Sequence, residues 1–134
     1  MKLPGEHIFV TGGAKGIGEA IVRDCVANGA SASFVDIDET AGNKLATELN
    51  SAGYKVAFAK ADVANFDELK TAFESLVSKL GNVTGVVNNA GVNSHADPVK
   101  MTDEEWDDFF AIDMKSIWLT AKLALPAMRK VKKG

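Results

Sequence analysis

An α/β fold on a parallel sheet is what this sequence predicts, and three observations predict it. Short runs of β-branched and aromatic residues alternate with longer segments whose apolar residues recur three and four positions apart. The connections between them are short, so successive strands are joined through helices as right-handed crossovers. Glycines stand where a strand gives way to a helix and where helices stop.

The first strand is expected at His7–Val10, followed by the turn Thr11-Gly12-Gly13-Ala14-Lys15-Gly16-Ile17-Gly18. In the first helix Ile17, Ile21 and Cys25 form a stripe that Val22 and Val26 widen. The second strand spans Ser31–Asp36. Leu45 and Leu49 mark the second helix, closed by Gly53 ahead of a third strand at Tyr54–Ala61. Phe66, Leu69, Phe73, Leu76, Val77 and Leu80 give the clearest stripe, ended by Gly81, and a fourth strand follows at Val83–Val87. Thr102 reads as an N-cap with Glu105 completing a capping box, and Asp103 and Glu104 suit the positive end of the helix dipole. This fourth helix runs toward Lys133, with a bend or break near Pro126 and Gly134 in the C′ position. The basic tail from Arg129 to Lys133 then complements the negative end of the dipole, which the sequence favours over a nucleic-acid patch. No internal repeat, low-complexity tract or linker divides the chain, so residues 1–134 read as a single domain.

Composition narrows the function classes. The 134 residues suit one domain, and 46% hydrophobic against 25% charged residues with a net charge of −3 excludes intrinsic disorder. No apolar run approaches the roughly 20 residues of a membrane span, and Met1 to Glu6 lacks the basic-then-apolar pattern of a signal peptide. The small negative charge gives no general attraction to nucleic acid or anionic membrane. The single cysteine, Cys25, fits a reducing, cytoplasmic setting, and its place on an apolar helical stripe makes it a core residue. With only His7 and His95, far apart, no metal site is expected.

The glycine-rich turn carries the chemistry. A pyrophosphate needs unblocked backbone N–H groups at the positive end of a helix, which a strand–turn–helix of this kind supplies. Glycines at 12, 16 and 18 allow a tight turn, close approach of phosphate, and close helix–strand packing. A structural turn alone would also use glycine. A P-loop is the weaker reading, because Lys15 precedes Gly16 and Ile17 follows it, and a methyltransferase-type site stays open at this point. The second strand ends at Asp36, close to the spacing of a ribose-binding acid. A carboxylate there accepts from both ribose hydroxyls and repels a 2′-phosphate, favouring NAD over NADP. Lys15 is a mild opposing sign; Asp38 and Glu39 read as helix-start residues.

Taken together, these motifs resemble the classical short-chain dehydrogenase/reductase family. The stretch Thr11–Gly18 resembles its T-G-x-x-x-G-x-G turn, Asp36 its NAD-selecting acid, Asp62-Val63 its adenine-contacting pair, and Asn88-Asn89-Ala90-Gly91 its N-N-A-G signature. The resemblance implies a Rossmann-like three-layer α/β/α fold, truncated to four strands in the order 3-2-1-4 and four helices. It implies NAD, with NADP less favoured, on Gly12, Gly13, Ala14, Lys15, Gly16, Ile17, Gly18, Asp36, Ile37, Asp62, Val63, Asn89, Ala90 and Gly91, with Asn89 and Gly91 the preferred contacts at the inner ribose. The implied reaction is hydride transfer between nicotinamide and a small alcohol or ketone, in a homo-oligomer.

The family's acid/base pair is Tyr-x-x-x-Lys. Here the sole tyrosine, Tyr54, has Phe58 four residues on, and the family's serine belongs to a fifth strand. The chain therefore reads as a cofactor-binding N-terminal part without catalytic residues, inactive alone. Asp113 stands where the family has an Asn; it keeps acceptor oxygens, loses the NH₂ donors and adds a charge. His95 could approach a substrate, but a solvated loop histidine is the favoured reading. The alternatives are a non-catalytic NAD-binding module and a self-associating fragment.

Overall fold

The computed structural model describes residues 2–93 and 97–134. In chain order it contains β1 (His7–Thr11), α1 (Gly16–Ala27), β2 (Ser31–Asp36), α2 (Glu39–Ser51), β3 (Val56–Lys60), α3 (Phe66–Leu80), β4 (Gly85–Asn88), α4 (Asp103–Phe110), a π-helical stretch (Ala111–Lys115) and α5 (Ser116–Val131). The four strands form one parallel sheet in the order β3-β2-β1-β4. This is the expected α/β/α architecture, with the order reversing between β1 and β4.

Neighbouring residues of a strand point to opposite faces, so a strand covered on both sides must be apolar throughout. Val10, Phe34 and Val56 pack on one face with Val22 and Val26 of α1 and Leu45 and Leu49 of α2. Phe9, Val35 and Ala57 pack on the other with Leu69, Phe73 and Leu76 of α3 and Leu119 and Ala124 of α5. Phe9 and Phe73 meet edge to face with ring centres 5.2 Å apart.

Several boundaries differ from expectation for identifiable reasons. The buried stripe of α1 is Gly18, Val22, Cys25 and Val26, whereas Ile17 is 75% exposed, because Gly18 is the residue that packs into the preceding turn. The third strand starts at Val56, not Tyr54. The Tyr54 N–H still bonds the Leu49 carbonyl, and the Asn50 side chain pairs with both backbone groups of Val56. The fourth starts at Gly85, since Thr84 ties its backbone N–H and its hydroxyl to His7, and it extends to Asn88. The fourth helix begins with the expected capping box, but its interruption lies at Ala111–Lys115; helix α5 runs through Pro126. At its end Lys132, not Gly134, takes the left-handed C′ position at φ 54°. The N–H of Lys132 bonds the Arg129 carbonyl and that of Lys133 the Met128 carbonyl, which is a Schellman closure.

His7 does more than open the first strand. Its ring is buried, with Nδ1 2.9 Å from the Gly81 carbonyl and Nε2 2.7 Å from Ser33 Oγ. A carbonyl can only accept, so Nδ1 carries the proton and Nε2 accepts from the serine. Burial holds the His7 pKa below its ordinary 6.5. The unfolded chain therefore binds this proton more readily, and the neutral ring's contribution to stability is complete above pH 6.5 and is lost as pH falls through the folded value. Urea midpoints at pH 7.5 and pH 5.5 should differ more for the native chain than for His7→Asn. Equal pH sensitivity of the two would contradict this assignment.

Candidate functional site

The β1–α1 turn is shaped by backbone contacts that only glycine permits. The Gly12 and Gly13 N–H groups both donate to the Val35 carbonyl, at 2.9 and 3.2 Å, folding the turn over the end of β2. A Cβ on Gly18 would lie 1.9 Å from the Gly12 oxygen, so the first turn of α1 and the loop are in backbone contact. Gly16 adopts φ +56°, with open space where a side chain would project.

From Lys15 the chain enters α1, and among the described residues no side chain caps its first turn. The contrast is informative: α2 is capped by Asp38, α3 by Asn65 and α4 by Thr102. The opening amides of a helix have no intrahelical acceptor and carry the positive end of its dipole. On α1 that end has no side-chain partner among the described residues.

Asp36 lies beside this turn. Its Oδ2 accepts from the Ala14 N–H and its Oδ1 from the Asp38 N–H, both at 3.0 Å. Each carboxylate oxygen has two acceptor sites, so one on each oxygen remains for a pair of hydroxyls. Lys15 pairs through Nζ with Asp38, which raises the lysine pKa and lowers that of the aspartate. Next along the strand ends, the Asp62 Oδ1 accepts from Ala64 N–H at 2.9 Å and opens the connection to α3.

The end of β4 is tied to the same turn. Buried Thr11 Oγ1 accepts from the N–H groups of Asn89 and Ala90 at 3.1 and 3.0 Å. The Asn89 amide nitrogen donates to the Thr11 and Gly12 carbonyls at 3.1 and 3.0 Å. The NH₂ of Asn89, expected as a contact at the inner ribose, thus holds the glycine turn against β4, which leaves its acceptor oxygen. Asn88 is drawn to the opposite layer, its Oδ1 2.6 Å from the Thr120 hydroxyl. Asp113 sits in the π-helical turn, and its Oδ1 accepts from the Val92 N–H at 2.9 Å. The acceptor that Asp113 retains is thus in use, pinning the loop after β4 to the helix.

These strand ends enclose a crevice of about 380 Å³ lined by Gly12, Lys15, Asp36, Ile37, Ala61, Asp62, Val63, Asn89, Ala90, Gly91, Val92 and Ile112. Nine of the residues expected from sequence line it. Gly13, Ala14 and Gly18 do not; they build the turn from behind, Gly13 under the Phe34 ring and Ala14 buried. Gly16 and exposed Ile17 lie at the start of α1, outside the lining. Ala61, Val92 and Ile112 line it without belonging to any sequence motif, although each adjoins a candidate residue in the chain. His95 lies outside the described residues. Among those described, no group of three or more His, Cys, Asp or Glu side chains could hold a metal ion. No helix among them is long and apolar enough to cross a membrane.

Comparison with known proteins agrees with this geometry. The family model for short chain dehydrogenase matches residues 6–134. Oxidoreductase UcpA of Salmonella typhimurium is 35% identical over 133 residues, covering 99% of this chain and 50% of that protein. A metagenomic short-chain oxidoreductase solved in complex with NADP superposes with a TM-score of 0.92 at 29% identity, over 100% of this chain and 61% of that one. A blue fluorescent protein from a metagenomic library, solved with NADPH, gives a TM-score of 0.89 at 29% identity, over 94% of this chain and 52% of that one. The chain spans about half the length of the curated relatives it matches.

Proposed function

This chain belongs to the short-chain dehydrogenase/reductase family, and we propose that it is the coenzyme-binding part of an oxidoreductase that takes NAD in preference to NADP. One observation carries the proposal. The α1 N-terminus lacks a side-chain cap beside a crevice whose rim holds a carboxylate with two free acceptor positions. The group fits these residues. Amides at Gly16, Ile17 and Gly18 would hold the pyrophosphate, Asp36 the adenosine diol, Asp62 and Val63 the adenine edge, and Ala90 and Gly91 the nicotinamide side, with Asn89 bracing the wall. When bound, the coenzyme supplies a hydride acceptor or donor at nicotinamide C4, with a small alcohol or ketone as its counterpart. Two similar proteins were solved with NADPH and NADP, so in those proteins this architecture accommodates a 2′-phosphate. Asp36 tips the choice here, because a carboxylate beside a 2′-phosphate is repelled while beside a diol it accepts two hydrogen bonds.

The chain by itself is read as a binding module without turnover. Its one tyrosine, Tyr54, starts no Tyr-x-x-x-Lys motif, so the proton donor to a substrate oxygen must come from elsewhere. A second copy is the proposed partner. Trp106 of α4, Met114 of the π-helical stretch and Ile117 and Trp118 of α5 leave exposed apolar surface for it. Light scattering should show a dimer or larger, and a monomer at high concentration contradicts this part. The single buried cysteine agrees with a cytoplasmic setting.

Calorimetric titration with NADH tests the coenzyme reading. The native chain should bind it, and Asp36→Ala should weaken binding by about ten- to a hundredfold, the size expected for losing charge-assisted bonds to a diol. The variant should discriminate less between NADH and NADPH. Equal NADH affinity of the two proteins would overturn the role of Asp36.

A further inference from the structure

We propose that Asp38 is a specificity-determining residue: by holding Lys15 in an ion pair, it withholds the crevice's cation from a 2′-phosphate. The inference rests on the coenzyme reading above and gives Asp38, a helix-start residue, a second role. Among the described lining residues Lys15 is the sole cation, against the carboxylates of Asp36 and Asp62. A phosphate monoester carries about −1.5 to −2 charges near neutral pH. In such surroundings it is repelled unless that ammonium is available to it.

The structure engages the ammonium elsewhere. Lys15 Nζ pairs with Asp38 Oδ2. Asp38 is not a loose surface acid, because its Oδ1 accepts from the Ala41 N–H at 2.9 Å and caps α2. Its own N–H donates to Asp36 Oδ1, and Asp36 Oδ2 accepts from the N–H of Ala14, the neighbour of Lys15 in the chain. These contacts close a ring from Ala14 through Asp36 and Asp38 to Lys15 and back. The acid that would receive the diol also positions the acid that restrains the lysine. An isolated exposed ion pair contributes little, but here one partner is already fixed by backbone bonds, so holding Lys15 needs little further ordering of Asp38.

Asp38→Asn separates charge from scaffold. Asparagine caps a helix about as well as aspartate, so α2 keeps its start while Lys15 loses its counter-charge. Fluorescence titrations with NADH and NADPH should show NADPH affinity rising about five- to tenfold in the variant, as expected for one freed charge-assisted contact at a partly exposed site. NADH affinity should stay within about twofold, since no diol contact changes. Adding Lys15→Met to Asp38→Asn should abolish the gain. The proposal is overturned if the NADPH-to-NADH affinity ratio of Asp38→Asn equals that of the native chain, including the case where NADPH remains undetectable while NADH binds. It is also overturned if the gain survives removal of Lys15. Failure of the underlying reading is separately visible, because the native chain would then bind neither coenzyme, and both inferences would fall.

Discussion

Gly18→Ala should destabilise the chain by roughly 3 kcal/mol or more and weaken NADH binding by about a hundredfold. The methyl group it adds would lie 1.9 Å from the Gly12 oxygen and 2.6 Å from Asn89 Nδ2. Neither neighbour is a flexible chain end. The oxygen belongs to the turn backbone, and the amide is held by the Thr11 and Gly12 carbonyls. To admit the methyl, α1 must withdraw from the turn, and the opening amides move away from the place where a pyrophosphate would meet them. Gly16→Ala makes an instructive comparison. Space is open there, and only the φ of +56° opposes a side chain, so about 1 kcal/mol is expected. Urea denaturation of the two variants should rank them in that order. If Gly18→Ala proves as mild as Gly16→Ala, the backbone contact between helix and turn is not what holds the site.

Thr11→Val should cost about 3 kcal/mol although it barely changes side-chain shape. Thr11 is only 1% exposed, and its hydroxyl oxygen receives the N–H groups of Asn89 and Ala90. Valine fills the volume but leaves two donors without an acceptor in a part-buried place, at about 1–3 kcal/mol for each unsatisfied donor. Thr11→Ser keeps the oxygen and loses a methyl, so about 1 kcal/mol is expected. A denaturation midpoint for Thr11→Val equal to that of Thr11→Ser would mean that the hydroxyl does not organise the end of β4. Because Asn89 and Ala90 form the crevice wall, NADH affinity should fall with stability in the valine variant and not in the serine one.

The parts of the fold legible in the sequence were those with a local cause. Leu69, Phe73 and Leu76 repeat at helical spacing because α3 lies on the sheet, and Thr102 with Glu105 form a capping box that the structure contains. The position of Asp36 at the end of β2 was readable for the same reason, since a strand before a helix start leaves few places for an acid to go. What could not be read depends on contacts across long sequence separations. That Thr11 would bind the amides of Asn89 and Ala90, or that the Asn89 amide would brace the turn, follows from β1 and β4 being neighbours. The pairing of Lys15 with Asp38 likewise needs two turns to converge. Ile17 misled because its apolar side chain matched the helical period while the turn before it required Gly18 to face inward. Of the bend or break expected near Pro126, there is no break, since α5 runs through it; the helix is interrupted instead by the π-helical turn at Ala111–Lys115, whose Asp113 anchors the loop after β4. Spacing alone carries no sign of that contact.

Coenzyme binding as proposed requires the free amides at the start of α1 to receive a diphosphate. Backbone ¹⁵N–¹H spectra recorded during titration with NADH test it most directly. Saturable shifts are expected, centred on Gly16, Ile17 and Gly18, with a second group at Ala90 and Gly91. Saturation that leaves the three α1 amides unmoved, or an absence of any saturable shift, would contradict it.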